Sequence, residues 1–217
     1  MSRETTLKRI LDGGIVAVVR AESGEQLGRV VRALAEGGVT AAEITFTVPD
    51  AVEVIRQVRK DLGDAIVLGA GTVLDPETAR AALLAGAEYI VAPTVNLEVI
   101  RMCRRYDKVV MPGALTPTEV VSAWEAGADV VKIFPADLGG PNYLKALRAP
   151  LPQIKMMPTG GVDLNTAEAF LKAGACCLGI GGSLVDAKLV AAGEFAAITE
   201  LAAKYVAIVK RFRASAG

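Results

Sequence analysis

Residues 116–135 read TPTEVVSAWEAGADVVKIFP, and this stretch predicts one complete helix–turn–strand unit. Its first half, Thr116–Glu125, has the apolar spacing of an amphipathic helix. Ala126-Gly127-Ala128 follows, and glycine suits the left-handed residue that ends many helices. The apolar run Asp129–Phe134 then predicts a buried strand.

The same unit recurs along the chain. Gly37-Gly38-Val39, Ala85-Gly86-Ala87 and Ala173-Gly174-Ala175 also end helical segments and lead into apolar runs. Strands that alternate with helices of this length indicate parallel βαβ units. The eight predicted strands are Gly14–Arg20, Ala41–Thr47, Ala65–Gly69, Glu88–Ala92, Lys108–Pro112, Asp129–Phe134, Ile154–Pro158 and Cys176–Gly181.

Eight such units with short connections predict an α/β fold, the closed (β/α)8 or TIM barrel, rather than an open doubly wound sheet. An open sheet that binds a dinucleotide carries G-x-G-x-x-G after its first strand, and this chain has no such motif there. The length of 217 residues suits one barrel, since barrels run to ~200–250 residues as one domain. We therefore expect residues 1–217 to form a single barrel domain.

Composition restricts the partners and the compartment. The 24 basic and 24 acidic residues balance and are interspersed, unlike the basic stripe of a nucleic-acid-binding protein. No apolar run reaches the ~20 residues that a membrane-spanning helix needs, and Met1–Thr6 does not resemble a secretory signal. We expect a cytoplasmic protein without nucleic-acid or membrane partners. Its three cysteines, including the adjacent Cys176 and Cys177, are expected to be buried, reduced thiols.

The chain contains no histidine. This excludes Ser-His-Asp triads, Cys-His pairs and most catalytic zinc sites, which use imidazole. Acid–base chemistry must therefore come from carboxylates, lysine, tyrosine or water. We expect no metal and no cofactor.

Lys132 is the most informative residue, because it interrupts an otherwise apolar strand. Burying an unpaired ammonium is costly, and burial depresses the pKa of a lysine, which supplies the neutral amine that a nucleophile needs. The other strand lysines, Lys108 and Lys155, lie at strand starts near solvent. The sequence predicts a catalytic lysine at position 132, with a structural ion pair as the alternative.

Glu43 is the second candidate. Strand alternation places Glu43, Thr45 and Thr47 on one face, which we expect to line the barrel interior, and apolar residues on the other. Even-numbered strands of a barrel share side-chain layers, so strands 2 and 6 bring Glu43 toward Lys132. A structural salt bridge at the barrel floor is the alternative to an acid–base role.

Two glycine-rich segments, Pro158–Val162 and Gly179–Ser183, follow the seventh and eighth predicted strands. Loops at these places frequently bind phosphate through backbone N–H groups, whereas simple tight turns are the alternative. A third segment, Gly69–Thr72, follows strand 3 and brings the Thr72 hydroxyl to the same rim. The predicted phosphate-binding residues are Gly160, Gly161, Gly182 and Ser183.

Taken together, these segments closely resemble the bacterial 2-keto-3-deoxy-6-phosphogluconate (KDPG) aldolase family, which includes 4-hydroxy-2-oxoglutarate and 6-phosphogalactonate aldolases. The matching segments run in order along nearly the whole chain: Ala17–Arg20, Glu43–Asp50, Gly69–Thr72, Val91–Pro93, Met111–Gly113 with Thr116–Glu119, Val131–Pro135, Pro158–Gly161 and Gly179–Ser183.

The resemblance implies a metal-free class I aldolase, a lyase that cleaves KDPG to pyruvate and glyceraldehyde 3-phosphate in the Entner–Doudoroff pathway. It implies that Lys132 forms the Schiff base, that Glu43 is the general acid/base, and that Thr72 contacts the substrate carboxylate. It also implies a homotrimer. The remaining residues that we expect in the pocket are Pro93, Phe134 and Thr159.

One position departs from the family pattern. Many members carry an arginine where this chain has Thr47, and that arginine holds the substrate carboxylate. Arg20 ends the neighbouring first strand here, as in a subset of the family. We predict that Arg20 binds the carboxylate beside Thr47, with an ion pair to Glu22 or Glu43 as the alternative.

Other activities remain open at this point. The stereochemistry at C4 leaves phosphogalactonate and hydroxyoxoglutarate aldolases as alternatives. A phosphosugar isomerase or epimerase, or a non-catalytic phosphate-binding barrel, would share the glycine-rich loops but would not need a buried lysine in strand 6.

Overall fold

The computed structural model describes residues 1–20 and 24–216. Parallel strands form a barrel that is surrounded by helices. The strands are β1 Ile15–Val19, β2 Ala41–Thr45, β3 Val67–Gly71, β4 Tyr89–Val91, β5 Val109–Met111, β6 Gly113–Ala114, β7 Val131–Ile133, β8 Met156–Pro158 and β9 Leu178–Ile180.

Helices connect the strands, and a short 3-10 helix, Ala136–Leu138, follows β7. The helices are α1 Arg3–Gly13, α2 Gly24–Glu36, α3 Ala51–Leu62, α4 Pro76–Ala85, α5 Leu97–Arg105, α6 Pro117–Glu125, α7 Gly140–Arg148, α8 Ala167–Lys172, α9 Ala187–Ala192 and α10 Phe195–Ala216. None of the helices within the described ranges is long and apolar enough to cross a membrane.

The strands close into a ring. Six of them lie in the order β5-β4-β3-β2-β1-β9, and three in the order β6-β7-β8. Pro112 separates β5 from β6 but keeps them in line, since its carbonyl accepts from the Lys132 backbone N–H at 2.9 Å. A bridge between Thr159 and Gly179 joins the β8 and β9 sides. Counting β5 and β6 as one interrupted strand gives the eight-stranded barrel that the sequence predicts.

Apolar residues cover both faces of the barrel wall, which is why its strands read as continuous hydrophobic runs. The outer face packs against the helices, and the inner face forms a second cluster in the lower half of the barrel. Helix α1 lies across the N-terminal end and inserts Ile10 into this inner cluster. The lower barrel is therefore packed mostly with apolar side chains, whereas Lys132 lines a cavity at the C-terminal ends of the strands.

The predicted strands differ from the observed ones by one or two residues at their ends, and in the second and third strands the difference affects the site. The third strand extends over Val67–Gly71 instead of Ala65–Gly69, because Ala65 closes a turn by donating to Leu62 and the Phe46 N–H pairs with the Gly71 carbonyl at 2.8 Å. Gly71, which we expected after this strand, thus lies within it. The second strand ends at Thr45 instead of Thr47, since the Val48 N–H donates to the Thr45 carbonyl and turns the chain.

The three cysteines are free thiols. The predicted burial is confirmed for Cys103 and Cys177 but is wrong for Cys176, which lies just before β9 at the N-terminal rim and is partly exposed. The Sγ atoms of Cys176 and Cys177 are 3.8 Å apart.

Candidate active site

A cavity of about 480 Å³ opens at the C-terminal ends of the strands. It brings together every predicted site residue except Glu43, which lies buried in β2. The predicted residues that line it are Arg20, Thr47, Thr72, Pro93, Lys132, Phe134, Thr159, Gly160, Gly161, Gly182 and Ser183.

A larger cavity, of about 740 Å³, lies between α2 and α3. Its lining includes the exposed side chains of Glu25 and Gln57, and none of the predicted site residues is among the described residues around it. Size alone does not identify a site, because chemistry needs titratable groups with perturbed pKa values that converge on one space. We therefore place the candidate active site in the smaller cavity.

Lys132 extends from β7 into the floor of this cavity with only 6% of its surface exposed. Burial lowers the pKa of its ammonium group, the nearby Glu43 opposes this effect, and Arg20 adds to it. Within residues 1–20 and 24–216, no carboxylate forms an ion pair with Lys132, whose Nζ lies 4.9 Å from the centroid of the Phe134 ring. Among the described residues, Lys132 thus lacks the ion pair that a purely structural lysine would need.

Glu43 faces the barrel interior, as alternation predicts, and is 1% exposed. A Cβ built on Gly71 would lie 2.7 Å from Glu43 Oε1, so the carboxylate packs directly against the bare backbone of β3. Its other oxygen, Oε2, has no hydrogen-bond partner in the described part of the chain. Burial raises the pKa of Glu43, and the positive charges of Lys132 and Arg20 partly offset this rise.

Burial therefore brings the pKa values of Lys132 and Glu43 closer together. The pKa of the amine falls while that of the carboxyl rises, so both are moved toward the pH range in which proton transfer is efficient. Titratable groups whose pKa values are perturbed in this way, at the bottom of a cavity, indicate acid–base and nucleophilic chemistry.

Three threonines lie on the strands and rim beside these groups. Thr72 follows β3 in a left-handed conformation, with φ of 58°, and such a conformation is rare for a β-branched residue. Local strain of this kind persists only where the surrounding structure imposes it, and it is frequent at functional sites. On β2, the hydroxyls of Thr45 and Thr47 are 2.7 Å apart, which links the buried strand to the rim.

Arg20 lies just beyond β1 and reaches toward the end of β9. Its Nη1 is 3.9 Å from the position of a Cβ on Gly181. No ion pair joins Arg20 to Glu43 or to another carboxylate in the described ranges, and Glu22, the other predicted partner, lies outside them. Among the described residues, the guanidinium thus has no carboxylate partner, and Arg20 lines the cavity.

The two glycine-rich loops meet at one side of the cavity. Gly160 and Gly161 have φ values of 96° and 67°, conformations that favour glycine. The Ser183 hydroxyl donates to the Val162 carbonyl and so ties the two loops together. A Cβ on Gly182 would meet no described atom within 4 Å, which shows that the backbone there borders open space.

Sequence reasoning missed Asp163 and Val18, which also line the cavity. Asp163 Oδ1 accepts the backbone N–H groups of Asn165 and Thr166, and these bonds lower the pKa of its carboxyl. The spacing of Asp163 before Asn165 and Thr166 is the available signal for such a turn, and it predicts a loop rather than a ligand contact. Among the described residues, no group of three Cys, Asp or Glu side chains is arranged to hold a metal ion.

Comparison with known proteins identifies the family. The family described as "Aldolase: KDPG and KHG aldolase" matches residues 7–201. A 2-dehydro-3-deoxy-phosphogluconate aldolase from Treponema pallidum is 38% identical over 197 residues, covering 90% of this chain and 93% of that protein. A 2-dehydro-3-deoxy-6-phosphogalactonate aldolase from Escherichia coli is 37% identical over 174 residues, covering 80% of this chain and 85% of that protein.

Solved structures show the same fold. A KDPG aldolase from Legionella pneumophila, with pyruvate captured as a covalent carbinolamine intermediate, superposes with a TM-score of 0.84. It is 25% identical, and the superposition covers 94% of this chain and 97% of that one. Since the family match spans most of the barrel and the relatives are similar over most of their length, this chain belongs to the KDPG and KHG aldolase family.

Proposed function

We propose that this protein is a class I aldolase that cleaves KDPG to pyruvate and glyceraldehyde 3-phosphate, with Lys132 as the Schiff-base nucleophile and Glu43 as the general acid/base. The observation that carries the proposal is a buried lysine at the floor of the cavity that has no ion-pair partner among the described residues, although its charge interacts with that of the buried Glu43 on β2. Membership of the family and the names of the relatives support this activity.

The first step joins substrate and enzyme. Because burial lowers the pKa of Lys132, its amine is available in the neutral form to attack the C2 ketone. The carbinolamine that forms then loses water: Glu43 donates a proton to the C2 hydroxyl, which departs as a water molecule. The product is a protonated imine between Lys132 and C2, which acts as an electron sink.

The second step breaks the carbon–carbon bond. The Glu43 carboxylate, through a water molecule, takes the proton of the C4 hydroxyl, and C4 becomes the aldehyde carbon of glyceraldehyde 3-phosphate. The electron pair of the C3–C4 bond moves into the imine and leaves an enamine on Lys132. Glu43 then returns a proton to C3, and addition of water to C2 releases pyruvate and the neutral amine.

The remaining site residues are assigned to the two charged ends of the substrate, its carboxylate and its phosphate. We assign the carboxylate to Thr72, Thr47 and Arg20, which lie on neighbouring strand ends at one side of the cavity. We assign the phosphate to the backbone N–H groups of the glycine-rich loops. Pro93, Phe134 and Thr159 complete the pocket between these ends. The phosphate-binding residues in this assignment are Gly160, Gly161, Gly182 and Ser183.

The same machinery would cleave 2-keto-3-deoxy-6-phosphogalactonate, which differs from KDPG at C4. The similarity to the Escherichia coli phosphogalactonate enzyme favours this second candidate. Hydroxyoxoglutarate, which lacks the phosphate, is a third substrate to test. The proposal also includes a homotrimer, a cytoplasmic location, and a single aldolase domain over residues 1–217.

The test combines trapping with a substrate panel. Incubation with pyruvate and borohydride should add one pyruvate-derived mass, and cleavage of each of the three substrates should be followed by pyruvate release. We expect the highest kcat/KM with KDPG. An isomerase or a non-catalytic phosphate-binding barrel would gain no mass, and a higher kcat/KM for the galactonate epimer would replace KDPG with that substrate.

A further inference from the structure

A tyrosine lies inside the barrel at the level of Glu43. Tyr89 of β4 is fully buried and belongs to the inner cluster. In the strand register Glu43 pairs with Gly69 of β3, and Gly69 pairs with Tyr89. The three residues thus form one row across three strands, and the middle position has no side chain to separate the outer two.

The phenol end of Tyr89 fills the gap at Gly69. A Cβ built on Gly69 would lie 2.3 Å from Cζ of the tyrosine ring and 2.4 and 2.5 Å from the two Cε atoms. The end of the ring that carries the hydroxyl, rather than its base, therefore lies over β3. Tyr89 consequently crosses β3 in the direction of β2, the strand that holds Glu43.

The Glu43 side chain, which extends from β2, fills the next gap over β3. Its carboxylate packs over Gly71, two residues beyond Gly69 on the same face of β3. The two glycines thus provide adjacent places, the lower one for the phenol and the upper one for the carboxylate. Alanine at either position would collide with the group that now occupies it.

Both groups have an unused hydrogen-bonding atom. In the described part of the chain, Tyr89 Oη and Glu43 Oε2 are buried without a partner. Buried polar atoms are rarely left unsatisfied, and a single buried water commonly bridges two of them. Tyr89 Oη is a donor and Glu43 Oε2 an acceptor, and they belong to adjacent positions of the same wall.

The electrostatics of the barrel interior agree with this arrangement. Burial, the charge of Glu43 and the thiol of Cys177 all raise the pKa of Tyr89 well above its ordinary value, so the phenol stays protonated and remains a donor. The other titratable or charged groups that act on Glu43 are Lys132 from β7 and Arg20 from the end of β1, and each lowers the pKa of its carboxyl. Tyr89 adds a protonated phenol beside them.

We propose that Tyr89 is a positioning residue for Glu43: its phenol donates a hydrogen bond, through one water molecule, to Glu43 Oε2 and stabilises the ionised carboxylate. Tyr89 is not among the residues that line the cavity, so we expect its phenol to make no contact with substrate. Its catalytic consequence rests on the function proposed above, whereas the contact itself does not.

The first experiment is the pH profile of Tyr89→Phe. Loss of a donor to the carboxylate raises the pKa of Glu43, so the acid limb of kcat should move to higher pH by about one unit, equivalent to about 1.4 kcal/mol. Below that limb, kcat should fall about tenfold, with KM nearly unchanged because the phenol does not contact substrate. A limb that stays in place in an otherwise active Tyr89→Phe protein overturns the proposal.

Tyr143→Phe is the matched control. The Tyr143 hydroxyl donates to the Leu115 carbonyl at 2.6 Å, outside the row of Glu43, so its removal also deletes a partly buried phenol hydrogen bond. We expect Tyr143→Phe to lower the unfolding temperature without moving the acid limb. An equal shift of the limb in both variants would assign the effect to general destabilisation and would also overturn the proposal.

A second experiment does not depend on catalysis. Unfolding free energies of Tyr89→Phe, Glu43→Met and the double variant form a double-mutant cycle. We expect Tyr89→Phe to destabilise the protein that contains Glu43 but to have little effect in the Glu43→Met background. Additive effects overturn the contact. If the unfolding free energies show coupling between Tyr89 and Glu43 but the protein cleaves none of the three substrates, the contact stands and the proposed function is rejected.

Discussion

Lys132 and Glu43, both within the described ranges, act on each other's charge across the barrel interior without forming an ion pair. Burial disfavours both charged forms, and the attraction between them only partly offsets this effect. Such an arrangement leaves the amine free to react, whereas a tight salt bridge would hold it as an ammonium.

Substitution of the nucleophile gives the most direct prediction. Lys132→Ala should abolish both the pyruvate–borohydride adduct and aldol cleavage, because it removes the amine that forms the imine. Mass spectrometry of a proteolytic digest locates the adduct. Lys155→Ala, which removes an exposed lysine just before β8, is the control and should keep both properties. An adduct on any lysine other than Lys132 would contradict the assignment.

Glu43→Gln should separate imine formation from cleavage. Acid–base groups contribute ~10²–10⁴-fold, so kcat should fall by about that factor while some borohydride trapping remains. Glu88→Gln is the control, since Glu88 is also buried but pairs with Arg59 at 2.9 Å at the N-terminal end of the barrel. It should lower stability and leave kcat near that of the unmodified protein. Cleavage by Glu43→Gln within a few-fold of the parent rate would make Glu43 structural.

The pH dependence of imine trapping should move in opposite directions in two variants. Glu43 raises the pKa of Lys132, so Glu43→Gln should lower that pKa further and shift the midpoint of the trapping rate to lower pH. Arg20 lowers the pKa of Lys132, so Arg20→Ala should shift the midpoint to higher pH. The rate is measured with one reductant throughout, so that its own pH dependence cancels. Shifts of the same sign would show that these charges do not control Lys132.

Arg20 and Thr47 are predicted to serve one carboxylate. Hydrogen bonds to charged groups are worth ~1.5–3 kcal/mol, so Arg20→Ala should lower kcat/KM about ten- to a hundred-fold, much of it through KM. Adding Thr47→Arg to Arg20→Ala should partly restore KM, because it supplies a guanidinium from the neighbouring strand. A double variant no better than Arg20→Ala, with KM unchanged by either substitution, would show that Arg20 does not hold the substrate.

The pattern of the chain predicts the parts of the site that depend on strand alternation. Lys132 and Glu43 stand out because charged residues interrupt apolar strands, and period-two alternation directs both inward. The packed lower barrel follows from the same apolar runs. Side-chain direction along a strand is a local property, and a single sequence therefore contains it.

The sequence does not predict the position of a residue when that position depends on residues distant in the chain but close in space. Gly71 was expected in the loop after the third strand, yet it lies within β3, where the Glu43 carboxylate packs against its bare backbone. Asp163 gives no ligand signal, since its place in the cavity depends on how the loop after β8 folds back. Arg20 was expected beside Thr47, and no sequence pattern indicates that its tip lies against Gly181.

The bond between the Ser183 hydroxyl and the Val162 carbonyl has a consequence for selectivity between phosphorylated and unphosphorylated substrates. In the proposed role, this hydroxyl already has an acceptor before any ligand arrives, so turning it to a phosphate exchanges one bond for another. The net gain is the difference between a charged and a neutral acceptor, not a whole hydrogen bond. In this role the phosphate is bound mainly by backbone N–H groups, which side-chain substitutions do not remove.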